Sequence, residues 1–370
     1  MTRNSRILFL LTIIAFSLIN CKNQTVNKNK TNAIFDKTDK YVERMIDSSG
    51  IIGLNYAILI DGELAHKKTF GLANHDLKVP MTTDKLFAVA SMSKMFSSIA
   101  LHKLLQENDR NVSETVGEFL PKRTDLPATW RKLTLKQLLS HTSGIPDQIE
   151  YQIYLAPDSD KFVIESMKDK PFSSQPGTEA KYNATGFLLI RIIIEKLANQ
   201  DFEPYMQEEY FDKLQLHKAN YGGFKKVVSN RVKSYRSFHN ELQMFPLNYA
   251  PPMYAGAGLN IDINELIRWF QALLKEEILT MKQLKNIWTP VTLNNGKDGY
   301  FGQGWVARKL QEGYRMTGHG GAGISAFAHY WNEETTKNIT VIVLTNGAKN
   351  WNVRPEQMNA EIANIMLSNE

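Results

Sequence analysis

Apolar and polar positions change their period several times along this 370-residue chain, and the changes mark its elements. An unbroken apolar run, Ile7 to Ile19, follows Arg3 and Arg6. It gives way to a polar stretch, residues 22–33, with almost nothing that could enter a core. Helical spacing then runs from Asp36 to about Asp47 and stops at Ser48-Ser49-Gly50. Two strand-like runs, Leu54 to Ile60 and Glu63 to Phe70, flank Asp61-Gly62, a dipeptide that favours a tight hairpin. From Ser91 to Gln106 the period is helical, with Met92, Met95, Phe96, Ile99, Ala100 and Leu104 on one stripe. Further helical patterns cover Thr134 to Ser140, Thr185 to Leu197 and Asn264 to Leu274. Near the C-terminus the spacing returns to strands, Ile324 to Trp331 and Ile339 to Thr345, and Pro355 opens a last helix at its first turn. Strands at both ends with helices between predict an α+β fold. One antiparallel sheet would form from the N- and C-terminal segments, flanked by helices, with a mostly helical region inserted. The predicted boundaries are a leader over 1–20, a flexible tether over 21–34 and one domain over 35–368. Its sheet part is about 35–85 and 300–368, and its helical part about 86–299.

Composition sharpens this reading. With 43% hydrophobic and 10% aromatic residues, the chain is ample for one large packed domain. The formal charge, 44 − 38 = +6, falls to +4 once Arg3 and Arg6 of the leader are set aside. The other Lys and Arg are scattered among Asp and Glu without a basic block or interleaved stacking aromatics, so no nucleic-acid partner is expected. The apolar run is too short and too N-terminal for an ordinary transmembrane helix and reads as a secretory signal. Cys21, the one cysteine, follows it in Leu18-Ile19-Asn20-Cys21. This resembles a bacterial lipobox, although Asn20 stands where a small residue is usual. The resemblance implies that Cys21 is lipidated as the mature N-terminus and that the chain sits lipid-anchored in the bacterial cell envelope, facing the periplasm or the cell surface. The alternative is a free thiol at the end of an uncleaved anchor. A single cysteine leaves no disulfide for the fold, even in an oxidising compartment.

Ser91-Met92-Ser93-Lys94 carries the chemistry, and it is the one Ser-x-x-Lys in the chain. A serine hydroxyl is a poor nucleophile until a base takes its proton. At positions i and i+3 of a helix, Lys94 shares a face with Ser91. The positive helix end and desolvation would both favour the neutral amine, which could then act as base. The Ser91 N–H would supply half of an oxyanion hole.

Phe87-Ala88-Val89-Ala90-Ser91-Met92-Ser93-Lys94 resembles the nucleophile region of the serine β-lactamase and penicillin-binding protein superfamily. Leu138-Leu139-Ser140-His141-Thr142-Ser143-Gly144-Ile145-Pro146 is similar to the signature of its class C-like branch, which also includes esterases and D-amino-acid peptidases. Pro176-Gly177 with Tyr182, Ala255-Gly256-Ala257-Gly258-Leu259, Phe301-Gly302-Gln303-Gly304-Trp305 and His319-Gly320-Gly321 follow in the family's order. The resemblance covers roughly residues 35–365. It implies that Tyr182 shares proton transfer with Lys94, and that His319 and Gly321 lie on a strand lining the site, with Gly321 allowing close backbone approach. Ala322 would offer the second oxyanion N–H, and His141 a structural hydrogen bond.

Two positions depart from the family. Where Tyr-x-Asn is usual, the chain reads Tyr182-Asn183-Ala184, so the substrate-contacting amide is absent unless Asn183 replaces it. The literal Tyr330-Trp331-Asn332 is out of order. Gly320 has no hydroxyl for a substrate carboxylate. Both losses favour small esters or amides over β-lactams and D-Ala-D-Ala termini.

The expected function is an exported serine hydrolase acting through an acyl-enzyme. One alternative is a D,D-peptidase, D-aminopeptidase or β-lactamase acting on peptidoglycan-type, cell-wall substrates. Another is a non-catalytic envelope protein that keeps the pocket for binding. No cofactor and no metal are expected: the eight histidines are dispersed, and neither His-Glu-x-x-His nor a Gly-Lys-Ser/Thr phosphate loop occurs. The nearest approach to an α/β-hydrolase elbow, Gly323-Ile324-Ser325-Ala326-Phe327, lacks the final glycine and falls on a predicted strand.

Overall fold

A computed structural model describes residues 32–147, 159–223, 225–239, 241–335 and 337–368. The predicted leader, Cys21 and the tether as far as residue 31 lie outside the described residues. Helix α1 spans 32–49 and so begins inside the stretch read as tether. Tertiary contacts carry it back. Ile34 and Phe35 pack on an apolar cluster of the sheet, Phe35 stacks on His66 at 4.7 Å, and Thr38 Oγ1 donates to the Ile34 carbonyl at 3.0 Å.

Strands β1 (Gly53–Ile60) and β2 (Glu63–Asn74) form the predicted hairpin. Asp61 and Gly62 both take positive φ, 50° and 81°, the conformation that a two-residue turn needs to match the strand twist. A short β3 (Val79–Pro80) extends the edge. The C-terminal part contributes β4 (Val306–Lys309), β5 (Tyr314–Gly321), β6 (Ser325–Asn332) and β7 (Asn338–Thr345). The antiparallel sheet runs β3-β2-β1-β7-β6-β5-β4, with Leu54 of β1 opposite Thr345 of β7, so the two ends of the domain meet at its centre. Strand β4 and the first half of β5 carry weak strand patterns, and β5 ends in Gly-rich Gly318-His319-Gly320-Gly321. Pairing on both edges makes β5 a strand despite its composition.

Alternation sorts the side chains. Leu54, Tyr56 and Ile58 with Val341 and Val343 face an outer cluster that takes in Met358 and Ile362 of α5 (Pro355–Leu367). Ala57, Leu59, Ile342 and Leu344 face the larger core shared with the inserted region. That region holds α2 (Ser93–Glu107), α3 (Thr185–Ala198) and α4 (Ile263–Leu274). The apolar stripe on α2 understates its burial. Ser97 and Ser98 on its polar side are buried too, donating to the carbonyls of Ala255 at 2.7 Å and Gln303 at 2.5 Å. A helix buried continuously from Ser93 to Leu101 is a rigid support for whatever stands at its N-terminus. Among the described residues no helix is long and apolar enough to cross a membrane.

Candidate active site

Ser91 stands on a strained turn. Phe87–Ala88 pairs with Leu259–Ile261, and Val89 N–H continues the pairing to the Leu259 carbonyl at 3.0 Å. Ala90 then takes φ +47°, a left-handed conformation that costs a β-carbon residue energy. A 3₁₀ turn, Ala90–Met92, follows before α2 begins. Ser93 Oγ locks the turn, donating to the Ala90 carbonyl at 2.6 Å and accepting from Leu259 N–H at 3.0 Å. The turn leaves Ser91 half-buried at the edge of a cavity of about 540 Å³.

Lys94, in the first turn of α2, is 1% exposed. Its Nζ donates to the Gly256 carbonyl at 2.8 Å and lies 5.0 Å from the Tyr182 ring centre and 4.9 Å from that of Phe187. Among the described residues it has no hydrogen bond to Ser91. The amine is therefore placed against the phenol's ring face, which favours negative charge developing on that ring. Gly256 eases this approach, because a Cβ there would stand 3.3 Å from both Nζ and the Phe187 Cβ. Sequence reasoning marked the Ala255–Leu259 run as a landmark without showing that its carbonyl anchors the lysine.

Tyr182 lies in the loop before α3, and its O–H donates to Ser91 Oγ at 2.7 Å. Its ring is held by His141 at 4.6 Å and flanked by Phe301 at 6.0 Å and His319 at 6.1 Å. His141 Nδ1 accepts from Asn183 N–H at 3.1 Å, so its own proton sits on Nε2. Burial, then the charge of Lys94, then His319 hold His141 well below the usual imidazole range. His319 has the opposite tautomer: Nδ1 donates to the Gly320 carbonyl at 2.6 Å, leaving a lone pair on Nε2. Burial and then Lys94 push His319 down to about 3, so it is neutral at pH 7. Both Nε2 atoms are buried without partners among the described residues. Around the Tyr182 ring the protein thus holds one unused donor and one unused acceptor.

Asn183 does not face this space. Its Nδ2 donates to the Ile145 carbonyl at 2.6 Å and its Oδ1 accepts from Gly186 N–H at 2.9 Å, which ties the Tyr182 loop to the turn at 144–146. The methyl of Ala184, 6% exposed, stands where the family usually has its amide. Gly321 allows β5 to press on the turn that carries Ser91, since a Cβ there would collide with the Val89 carbonyl. Ala322 follows at φ +50° and lines the cavity with Ser91, Tyr182, Phe301 and His319. Ser325 is buried at the start of β6, opposite Gly321 of β5, with its hydroxyl donating to the Gly321 carbonyl.

A serine bonded to a phenol, with a buried lysine in the helical turn that follows, is an arrangement suited to nucleophilic chemistry on the hydroxyl. The chain belongs to the β-lactamase family, whose model matches residues 38–364. Among curated relatives, a penicillin-binding protein of Bacillus subtilis (strain 168) is 24% identical over 280 residues, covering 70% of this chain and 60% of the relative. The chain spans about 60 to 64% of the length of the first curated relatives it matches. Among solved structures, EstCE1, a hydrolase with promiscuous acyltransferase activity, superposes with a TM-score of 0.73 at 18% identity, covering 90% of this chain and 99% of that one. The D-amino acid amidase of Ochrobactrum anthropi SV3 gives 0.72 at 20% identity, covering 92% and 98%. At these identities the structural likeness speaks for the fold.

Proposed function

We propose that this chain is an exported, lipid-anchored hydrolase that forms an acyl-enzyme on Ser91 and prefers small esters or amides without a neighbouring carboxylate. The carrying observation is the 2.7 Å bond between Tyr182 and Ser91. With the phenol's proton given up to the Lys94 amine, Tyr182 takes the proton of Ser91 Oγ as that oxygen attacks the substrate carbonyl, and the phenol so re-formed passes it on to the leaving oxygen or nitrogen. Lys94 favours the charge that builds on the ring. The N–H groups of Ser91 and Ala322 receive the carbonyl oxygen as it becomes an oxyanion. Water then attacks the acyl group, and Ser91 recovers its proton by the reverse route. The ester preference rests on Ala184 and Gly320, which offer no group for a substrate amide or carboxylate. EstCE1 and the amidase are consistent with that range of leaving groups.

Intact-mass analysis after a fluorophosphonate should show one adduct on the full-length chain in detergent, absent from Ser91→Ala. An adduct that persists in the mutant would overturn the assignment. A second reading, a binding protein without turnover, is favoured by Ala184, and absence of any adduct on wild type would support it. Anchoring is tested separately. A fatty-acid analogue should label wild type and leave Cys21→Ala unlabelled, and equal labelling of both would remove the anchor.

A further inference from the structure

We propose that Glu356 is the specificity-determining residue of the cavity: it receives a cationic, ammonium-bearing substituent of the substrate and turns carboxylates away. The proposal rests on the reading of Ser91 as nucleophile and names the substrate charge that the reading leaves open.

Glu356 is the second residue of α5 and lines the same cavity as Ser91. Its carboxylate lies against β5 at Gly320, where a Cβ would collide with Oε1. The resemblance implies a hydroxyl at position 320 that binds substrate carboxylates. This chain lacks that hydroxyl and puts a carboxylate beside the gap. The sign of the subsite is therefore reversed, and a substrate carboxylate placed there meets like charge.

The charge on Glu356 has no fixed partner. Among the described residues it forms no ion pair within 4 Å. Arg354, two residues before it, acts on the carboxyl through its charge without forming an ion pair, and its Nη1 stands 2.6 Å from where a Cβ on Gly323 would be. Arg308 also lines the cavity, but it pairs with Met316, four residues down β5 from Gly320, about 13 Å away at the rise of a strand. Between them the walls are Gly318, Ala326, Ala328 and Ala360, which offer no charge. Glu356 as a residue is exposed at the cavity rim, while the atoms packed around its carboxyl raise it above its ordinary range, against the opposing effects of its own N–H and of Arg354. A cation entering the cavity supplies the partner the protein withholds.

A charge series on one skeleton tests this: alanine ethyl ester (cationic), ethyl isobutyrate (neutral) and monoethyl methylmalonate (anionic). The readout is the ratio of kcat/KM values within each protein, which removes differences in folding yield. Glu356→Gln should lower the cationic-to-neutral ratio by about ten- to a hundred-fold, the usual worth of one charge-assisted hydrogen bond. It should raise the anionic-to-neutral ratio. Glu356→Lys should invert the order. A parallel arm needs no turnover: alaninamide should raise the melting temperature of wild type more than isobutyramide does, and the difference should vanish in Glu356→Gln. If wild type shows the thermal preference but neither hydrolyses the esters nor takes the phosphonate, the reading of Ser91 fails and the assignment of Glu356 stands. Ratios that agree within about twofold between wild type and Glu356→Gln, with no thermal preference, overturn the assignment.

Discussion

A polar cluster on the outer face of the sheet and the one around Ser91, reached from its inner face, are built from the same four kinds of side chain and use them in opposite ways. On the outer face, the Tyr56 hydroxyl donates to the Asp39 carboxylate. His66 Nε2 lies 2.8 Å from Asp39 and 2.9 Å from Tyr56, and Lys68 reaches the other carboxylate oxygen at 2.5 Å. Tyrosine, histidine, lysine and carboxylate are closed on one another, and together they clamp α1 to the sheet. Around Ser91, the residues Tyr182, His141, His319 and Lys94, with Glu356 of α5 at the rim, leave two imidazole nitrogens without partners and one carboxylate without an ion pair among the described residues. Buried polar groups are normally satisfied, so unsatisfied ones beside a cavity point to something that arrives there. The clamp uses its polar capacity for stability, whereas the site keeps its capacity open.

Paired tyrosine substitutions should break the comparison most sharply. Tyr182→Phe is expected to lower kcat/KM for a short-chain nitrophenyl ester by about 10² to 10⁴, the usual worth of a positioned proton donor, with little change in melting temperature. Tyr56→Phe should do the reverse: a loss of about 1–3 kcal/mol of stability from the now under-satisfied Asp39, with activity per folded molecule retained. If both variants lose activity and stability in step, the two faces are not functionally distinct.

Acid should separate the faces by pH window. His141 and His319 on the site side, with His102 and His329 in the core, are all held low by burial: His102 at about 4, His319 and His329 at about 3. The unfolded chain takes up protons at these positions below about pH 6.5 and the folded chain does not, so stability falls as pH drops from about 6.5 toward 3. Each such group contributes at most about 1.4 kcal/mol per pH unit. Asp39 behaves otherwise. Burial opposes its ionisation, but bonds from Lys68, Tyr56 and His66 outweigh it and hold the carboxyl below its ordinary range. Its contribution is full above about pH 4 and is lost only as the pH falls through the lowered value. Melting temperatures from pH 7.5 to 5 should therefore fall in wild type, fall less in His329→Gln, and keep the wild-type slope in Asp39→Asn. A slope that flattens in Asp39→Asn and not in His329→Gln would reverse the assignment.

How much of this was legible in the sequence depends on how local each cause is. The hairpin at Asp61-Gly62 and the helix opened by Pro355 are fixed by neighbours in the chain, and both stand where the pattern puts them. Ser91, Lys94 and Tyr182 were legible because ordered motifs carry them, and the structure brings the three together. The partner of Lys94 is the carbonyl of Gly256, 162 residues away, and a carbonyl leaves no mark in a sequence. Asn183 was weighed as a stand-in for the missing amide, yet nothing in its local sequence shows that Ile145 and Gly186 occupy it. Glu356 was invisible as a site residue because the sheet topology alone brings α5 over Gly320.

The smallest expected effect concerns the amide that the site lacks. Restoring it with Ala184→Asn places a donor and acceptor beside Lys94 if the family's arrangement holds in this chain. One hydrogen bond to a charged group is worth about 1.5–3 kcal/mol, or ten- to a hundred-fold. The gain should fall at the low end, because position 184 is only 6% exposed and the longer side chain must find room against the start of α3. The backbone there is already anchored, with Ala184 N–H donating to Asp147 Oδ1 at 2.9 Å, so the loop should keep its course. Adding Gly320→Thr to restore the hydroxyl as well would confound the result, since any Cβ at 320 displaces Glu356. The single substitution is therefore the cleaner measurement. The ratio of kcat/KM for a chromogenic cephalosporin to that for a short-chain nitrophenyl ester should rise about tenfold in Ala184→Asn. An unchanged ratio, in a variant that still takes the phosphonate on Ser91, would mean that the amide's absence does not set the substrate preference and that the charge of Glu356 has to account for it alone.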